Sequence, residues 1–307
     1  QGKRVLISGA SSGVGVATAC AFARAGADVA LLARRREGLE VAARAARASG
    51  GRAVVVPADV TDREALTAAV DEAARQLGGG LDVVVSNHAG MLFGTFEEVS
   101  PEDFDATIAT TFTGAVNLVR AAMPHLERSS GAIVLTGSIM GKVPLPTFAS
   151  YVAAKHALRG FAGSLRVELR RRRSPVSISI VNPGAIDTPL WSHVSSATGR
   201  LPRNPPDLYR PDVIARGLVA AAIRPRPEIT IGGEARIVEL GWAFARPLAE
   251  WVLTIVSRFY ASGKRPAPPV GLLRGPTGEG EAAGGLHGRP SLWAPIRLGR
   301  PYRHARH

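Results

Sequence analysis

Short apolar runs alternate with longer helical stretches along most of this 307-residue chain. The apolar runs, rich in Val, Ile and Leu, lie at 4–8, 28–33, 52–57, 81–86, 131–137, 176–181 and 228–232. Stretches of helical composition separate them, at 16–25, 37–49, 61–77, 101–126, 151–173 and 211–223. Strands that are joined through helices run parallel with right-handed crossovers. The pattern therefore predicts an α/β fold around a parallel sheet of about seven strands.

The same pattern divides the chain into three parts. Residues 1–235 are predicted to form one catalytic domain, in which the proline-containing stretch 189–210 is a mobile lid. Residues 236–262 are a helical extension rich in large apolar side chains, which Pro247 should break or kink. Three interpretations of this extension stay open: a flap on the lid or on a second subunit, a peripheral membrane contact through 236–260, or extra core. Residues 263–307, rich in Gly, Pro and Arg, are predicted to be disordered.

Composition and charge narrow the functional classes. Cys20 is the single cysteine, and the chain starts on a strand-like run without a signal peptide, so we expect a cytoplasmic protein. The formal net charge is +13, but it is spread over the body and the tail without a basic stripe interleaved with aromatic residues. We therefore predict no nucleic-acid binding. The sequence predicts neither a membrane-spanning helix nor a metal site.

A glycine-rich turn, Gly9-Ala-Ser-Ser-Gly13-Val-Gly15, joins the first strand to the first helix. Glycines let the backbone approach a pyrophosphate, and the helix N-terminus supplies N–H donors, so the pattern predicts a Rossmann-type doubly wound sheet that binds a dinucleotide. Arg34 and Arg35 follow the second strand, where a carboxylate would bind the ribose 2′-hydroxyl. Guanidinium groups hold a 2′-phosphate, which favours NADP(H) over NAD(H). The alternative is that these arginines merely begin a solvated helix.

A serine, a tyrosine and a lysine carry the candidate chemistry. Tyr151 and Lys155 lie one helical turn apart and share a face, and Ser138 stands just past the fifth strand. A free tyrosine has a pKa of about 10, too high for acid–base work at neutral pH. Lowering it by about 3 units needs roughly 4 kcal/mol, which a lysine and a positive cofactor ring would supply. The three groups indicate proton transfer at an oxygen, beside hydride transfer.

Together these motifs resemble the classical short-chain dehydrogenases/reductases, and within them a bacterial subgroup with a C-terminal extension. The likeness runs from about Gly2 to Gly233 and includes SGASSGVG at 8–15, NHAG at 87–90 and Asn182-Pro183-Gly184. It implies that Tyr151 is the general acid in reduction and the base in oxidation. It also implies that Lys155 lowers the tyrosine pKa and binds the nicotinamide ribose, while Ser138 orients the substrate oxygen. The implied cofactor contacts, besides Tyr151 and Lys155, are Gly9, Ser11, Ser12, Gly13, Val14, Gly15, Asp59, Val60, Asn87, Ala89, Gly90, Pro183, Gly184, Ile186 and Thr188.

One position departs from the family pattern. Thr111 stands where the family has a fourth catalytic residue, an asparagine that is thought to hold a water linking the lysine to solvent. Threonine hydrogen-bonds a water with a different reach and one fewer donor. The resemblance therefore makes Thr111 a catalytic residue with an altered proton relay.

The sequence predicts an NADP(H)-dependent oxidoreductase that interconverts a carbonyl and a secondary alcohol on a small hydrophobic substrate. The expected pocket lining is apolar: Met91, Leu92, Phe93, Met140, Val143, Leu145 and Trp191. One alternative is an NADP(H)-binding sensor or scaffold with little turnover. Another is a 3-oxoacyl-thioester reductase, which a basic patch beside the pocket entrance would favour. The helices at 101–126 and 151–173 are expected to form the faces of a homodimer or homotetramer.

Overall fold

The computed structural model describes residues 1–205, 208–268, 271, 273 and 282–285. Its main sheet contains seven parallel strands: β1 (Arg4–Ser8), β2 (Asp28–Leu32), β3 (Ala53–Val55), β4 (Val83–Ser86), β6 (Ala132–Thr136), β7 (Ser177–Pro183) and β9 (Glu228–Ile231). Across the sheet they lie in the order β3-β2-β1-β4-β6-β7-β9. In register, Ser8 pairs with Leu32 on one side and with Ser86 on the other, so the carboxyl ends of the central strands align. The predicted doubly wound parallel sheet is confirmed.

Helices cover both faces of this sheet. One face packs against α1 (Gly13–Arg24), α2 (Arg36–Ala48) and α8 (Pro211–Ile223). The other face packs against α3 (Arg63–Gln76), α5 (Gly114–Ser129) and α6 (Ala149–Arg171). Because both faces are covered, strands such as β6 are buried at every position and read as continuous apolar runs.

The long helix predicted over 101–126 is wrong in its middle. The chain forms α4 (Pro101–Ile108), which Ser100 caps by accepting a hydrogen bond from the Asp103 amide, then a π-helical turn over Ala109–Thr113, and then α5. A π-helical turn holds more residues than an α-helical one and is rare outside functional sites. The contacts of Thr111 with the loop after β4 accompany this turn, and no local sequence signal announces such long-range contacts.

The predicted lid contains secondary structure of its own. Two residues, Ser195–Ser196, form β8, which pairs in parallel with β5 (Leu92–Phe93), and α7 (Leu190–His193) precedes β8. Strands of two residues are too short to show a repeating pattern of apolar and polar residues. Their pairing depends on the tertiary approach of the two segments, which is why the sequence pattern missed them.

The C-terminal extension is helical, as predicted, and forms two helices, α9 (Gly233–Phe244) and α10 (Arg246–Ala261). The break falls at Ala245, and Pro247 lies in the first turn of α10, where its missing N–H costs no helical hydrogen bond. The predicted boundaries at 235 and 262 stay predictions. The tail predicted from 263 lies mostly outside the described residues, but Arg265 accepts a hydrogen bond from the Leu201 amide. No helix in the described ranges is both long and apolar enough to cross a membrane.

Candidate active site

A cavity of about 790 Å³ lies at the carboxyl ends of the central strands. Eighteen of the predicted site residues line it: Gly9, Ser11, Ser12, Gly13, Val14, Arg34, Arg35, Asp59, Val60, Asn87, Ala89, Ser138, Tyr151, Lys155, Pro183, Gly184, Ile186 and Thr188. Gly15, Gly90 and Thr111 lie behind the cavity wall. The sheet explains this grouping, since residues that follow parallel strands meet at one edge and ligands bind there.

The glycine turn forms the floor of one end of this cavity. Helix α1 begins at Gly13, and Ser12 before it has an extended backbone and no side-chain capping bond, so the Ser12 side chain takes up none of the N–H groups of the first turn, where Gly13 and Val14 line the cavity. A Cβ on Gly9 would lie 2.7 Å from the backbone of His88, so only glycine fits there. Gly15 serves packing instead, because its Cβ would meet the Gly9 carbonyl. A pyrophosphate fits this combination of bare backbone and helix N-terminus.

Ser138, Tyr151 and Lys155 come together at the opposite end. Ser138 follows β6 and hydrogen-bonds Tyr151, and its oxygen accepts from the Met140 amide at 3.1 Å. Lys155, one helical turn beyond Tyr151 on α6, lies with its Nζ 5.5 Å from the centre of the tyrosine ring. The same Nζ donates to the carbonyl oxygen of Thr136 at 2.7 Å, which fixes the side chain under the sheet edge.

Burial dominates the electrostatics of this pair. It raises the pKa of the Tyr151 phenol to about 12, while the hydrogen bond with Ser138 acts in the opposite direction. It lowers the pKa of the Lys155 ammonium to about 7. Burial and the contact with Ser138 leave the pKa of the phenol above its usual value. The expected lowering by Lys155 together with a positive cofactor ring stays a prediction.

Thr111 makes contacts that differ from the expected proton relay. Its hydroxyl oxygen accepts from the Gly90 amide at 2.9 Å and donates to the Gly90 carbonyl at 3.1 Å. Both groups are buried. The Thr111 side chain thus fixes the end of the loop that carries Asn87 and Ala89 into the cavity, and we interpret it as a positioning residue.

His88 is a cavity residue to which the sequence assigned no role. Its Nδ1 lies 2.6 Å from the Ser8 hydroxyl, and its Nε2 is buried with no hydrogen-bond partner among the described residues. Burial and then the charge of Lys155 lower the pKa of this imidazole to about 3, although Asp59 acts in the opposite direction. The ring is therefore neutral at physiological pH.

The rest of the cavity is apolar. Five of the seven predicted lining residues do line it: Met91, Met140, Val143, Leu145 and Trp191. Leu92 and Phe93 do not, since both are buried in β5, and the Phe93 ring packs 5.4 Å from that of Phe148. Helices α9 and α10 add a wall to the cavity, and the predicted lining did not include its residues, although a flap on the lid was one interpretation of the extension: Ile237, Val238, Leu248, Val252, Leu253 and Val256. The apolar spacing in 236–260 was the available signal.

Lys142 connects this wall to the loop that carries Ser138. Its side chain is 6% exposed, and its Nζ lies 2.8 Å from Glu239 on α9 and 3.2 Å from Glu228 on β9. It also donates to the Thr230 hydroxyl at 3.0 Å. Lys142 therefore connects the loop that carries Ser138 with β9 and α9.

Comparison with known proteins agrees with this arrangement. The family model described as short chain dehydrogenase matches residues 3–199, so the chain belongs to the short-chain dehydrogenase family. An uncharacterized oxidoreductase of Bacillus subtilis, YxnA, is 32% identical over 268 residues, 86% of this chain and 75% of the relative. A hydroxysteroid 11-beta-dehydrogenase 1-like protein of Xenopus tropicalis is 40% identical over 189 residues, 60% of this chain and 65% of that protein.

Solved structures show the same fold. An alcohol dehydrogenase from the archaeon Thermococcus sibiricus, solved with 5-hydroxy-NADP, superimposes with a TM-score of 0.62 at 26% identity. The match covers 75% of this chain and 96% of that one. A dehydrogenase/reductase from Sinorhizobium meliloti has a TM-score of 0.66 at 29% identity, over 76% of this chain and 94% of the other. The chain is therefore an oxidoreductase of this family.

Proposed function

We propose that the chain is an NADP(H)-dependent oxidoreductase that interconverts a carbonyl and a secondary alcohol on a hydrophobic substrate, with Tyr151 as general acid and base. One observation carries the proposal. A single cavity contains a phosphate-binding turn at one end, the Ser138, Tyr151 and Lys155 group at the other, and an apolar wall beside that group.

The residues of the chain supply the proton chemistry. A bound nicotinamide supplies the hydride donor or acceptor. The raised pKa of Tyr151 keeps its phenol protonated at neutral pH, the state that gives a proton to a carbonyl oxygen in reduction. Ser138, hydrogen-bonded to that phenol, holds the substrate oxygen beside it. Lys155, fixed by the Thr136 carbonyl, provides a positive charge for the phenolate that remains.

The preference for NADP(H) rests on Arg34 and Arg35, which line the cavity beyond the end of β2. The neighbouring lining residues at that strand end, Leu32 and Ala33, bring no carboxylate that would repel a 2′-phosphate. The NADP derivative in the archaeal alcohol dehydrogenase supports the same class of cofactor.

Alanine variants test this preference. Replacing Arg34 or Arg35 by Ala should raise the KM for NADPH by about ten-fold or more, since a charge-assisted hydrogen bond is worth about 1.5–3 kcal/mol. The KM for NADH should stay unchanged. Arg36→Ala is the matched control, because Arg36 lies outside the cavity and its side chain is 61% exposed. Equal effects on both cofactors, or an effect at Arg36 alone, would contradict the preference.

The substrate class follows from the size and chemistry of the cavity. The cavity of about 790 Å³ is large enough for part of the cofactor together with a sizeable apolar molecule. Its wall consists of methionine and aliphatic side chains and the Trp191 ring. We therefore propose a bulky hydrophobic ketone or alcohol, of the kind that the hydroxysteroid relative is named for.

A screen of hydrophobic ketones with NADPH tests the activity. Tyr151→Phe should lower kcat by about 100-fold or more, because the variant lacks the proton donor but keeps the ring. NADPH binding, measured by fluorescence titration, should persist in that variant. Turnover that survives Tyr151→Phe would refute the role of the phenol. Tight NADPH binding with no turnover on any carbonyl would instead support a sensor.

A further inference from the structure

Helices α9 and α10 present an apolar face that nothing in the described chain covers. On α9 this face consists of Ile237, Leu240 and Phe244, and on α10 of Leu248, Trp251 and Ile255, with the same spacing of three and then four residues. Phe244 is 86% exposed, Ile237 72% and Trp251 62%. Large exposed apolar patches on a folded domain mark contact surfaces. We call these six residues the C-terminal face.

We propose that the C-terminal face docks the protein on an anionic lipid surface, so that the substrate cavity opens toward the bilayer. The proposal extends the proposed function, because a hydrophobic substrate would partition into that phase. The docking itself is independent of catalysis. The main alternative occupant of the C-terminal face is a second copy of this chain.

The cavity supplies the first argument. Four side chains of α9 and α10, namely Ile237, Val238, Leu248 and Val252, both line the cavity and are more than 40% exposed. They therefore form an apolar rim where the cavity meets the surface. A mouth of this composition is unfavourable in water and favourable against hydrocarbon.

Charge favours lipid over a second copy. Between 233 and 265 the cations are Arg236, Arg246, Arg258, Lys264 and Arg265, and the acids are Glu234, Glu239 and Glu250. Two of these acids turn inward, Glu234 toward Tyr209 and Glu239 toward Lys142. Arg246 pairs with Glu250 at 3.1 Å and Arg236 lies 3.7 Å from Glu239, so the positive charge around the face comes from Arg258, Lys264 and Arg265. The whole chain carries a formal charge of +13. Two copies would bring like charges together, whereas anionic headgroups match them.

The aromatic residues are arranged as at a membrane interface. Arg246 lies over the Trp242 ring with its guanidinium carbon 4.8 Å from the ring centre, and Arg203 lies 4.4 Å over Phe259. Such pairs place a polar head at the edge of an apolar surface. Trp is also the residue that concentrates at the level of lipid headgroups.

Vesicle co-sedimentation of the full chain tests the proposal. Vesicles of phosphatidylcholine with phosphatidylglycerol should bind the protein at least ten-fold more tightly than vesicles of phosphatidylcholine alone. The double variant Phe244→Glu, Trp251→Glu should lose at least ten-fold in that binding, although it keeps every cation and both residues lie outside the cavity lining. Phe96→Glu is the matched control, since Phe96 is 70% exposed and far from α9 in sequence, and it should bind as the native chain does.

Three results would overturn the proposal. The first is vesicle binding that the double variant retains. Positive charge alone, for example that of the basic tail, would then explain the binding, and an acidic protein would fit that charge equally well. The second is absence of vesicle binding together with a dimer in solution that the double variant dissociates, which would assign the face to a second copy. The third is equal binding to both kinds of vesicle by all variants. Turnover of a water-soluble ketone without vesicles tests the proposed function separately and should be the same in the double variant.

Discussion

The hydroxyl of Thr111 holds both backbone groups of Gly90, and its removal gives a sharp prediction. Thr111 is 1% exposed, and Gly90 is buried in the same place. Thr111→Val keeps the shape of the side chain and removes its hydrogen-bonding capacity, so the amide and the carbonyl of Gly90 lose their partners together. We expect Thr111→Val to destabilise the fold and to weaken cofactor binding.

The magnitude follows from the two lost hydrogen bonds. A buried polar group left without a partner costs about 1–3 kcal/mol, and small backbone shifts recover part of that for two adjacent groups. The free energy of unfolding should therefore fall by about 2–4 kcal/mol in Thr111→Val. Thr111→Ser loses only a methyl group and keeps the hydroxyl, so its loss should be about 1 kcal/mol. Asparagine offers both a donor and an acceptor, and Thr111→Asn should leave turnover no lower than in the native chain.

Urea unfolding of the three variants, followed by circular dichroism, measures these differences. The slope of the unfolding free energy against urea should stay constant, so that the midpoints report stability directly. The KM for NADPH should rise in Thr111→Val and not in Thr111→Ser, since Gly90 ends the loop that carries Asn87. Equal destabilisation by Val and Ser would refute the reasoning, because the hydroxyl would then contribute nothing. A large loss of turnover in Thr111→Asn would show that Thr111 has a role of its own.

Two further predictions concern His88 and Lys142. The pKa of His88 is lowered to about 3 in the folded chain, so the unfolded chain binds more protons between about pH 6.5 and 3, and stability is lost as pH falls through that window. His88→Asn should flatten this loss in urea titrations, and equal pH slopes in both proteins would contradict it. Lys142→Met should cost about 2 kcal/mol by leaving Glu228 and Glu239 without their shared cation, and should speed amide exchange in α9 but not in α2. Unchanged exchange in α9 would show that Lys142 does not hold this helix.

The sheet and the nucleotide end of the cavity follow from local sequence. The seven strands are mostly apolar runs, and most of the predicted cofactor residues lie shortly after a strand or in the first turn of α1. Parallel register then brings these residues to one edge without further information. Prediction failed where a side chain acts at long range. The π-helical turn contains Thr111, whose hydroxyl bonds Gly90 at a distance of 21 residues along the chain, and the pKa of Tyr151 depends on burial that spacing alone does not reveal.

The sequence predicted helices over 236–262 and offered a flap on the lid as one interpretation, but it did not identify which side chains of α9 and α10 line the cavity. The amphipathic period predicts helices, but Ile237 and Leu248 belong both to the exposed face and to the cavity lining, and the period alone does not say what covers them. None of the side chains described for α10 is buried. Its contacts with the body are made by half-buried side chains: Leu253 and Val256 pack against the buried cluster around Phe148, and the Tyr260 ring stacks on Trp191. The Arg203 amide also donates to the Tyr260 carbonyl at 3.0 Å.

An element with so little burial opens at low cost, since local stability follows from buried contacts. The proton-transfer end of the cavity is by contrast well buried: Ser138, just after β6, and Tyr151 and Lys155, on α6, are each less than a tenth exposed. Buried catalytic groups beside the less buried wall of α9 and α10 suit an enzyme whose large substrate must enter past that wall. Lys142 is the link that limits the movement, because it joins the serine loop to Glu239 near the middle of α9. Breaking that link should therefore alter substrate entry, seen in KM for a bulky ketone, more than the proton step, seen in kcat.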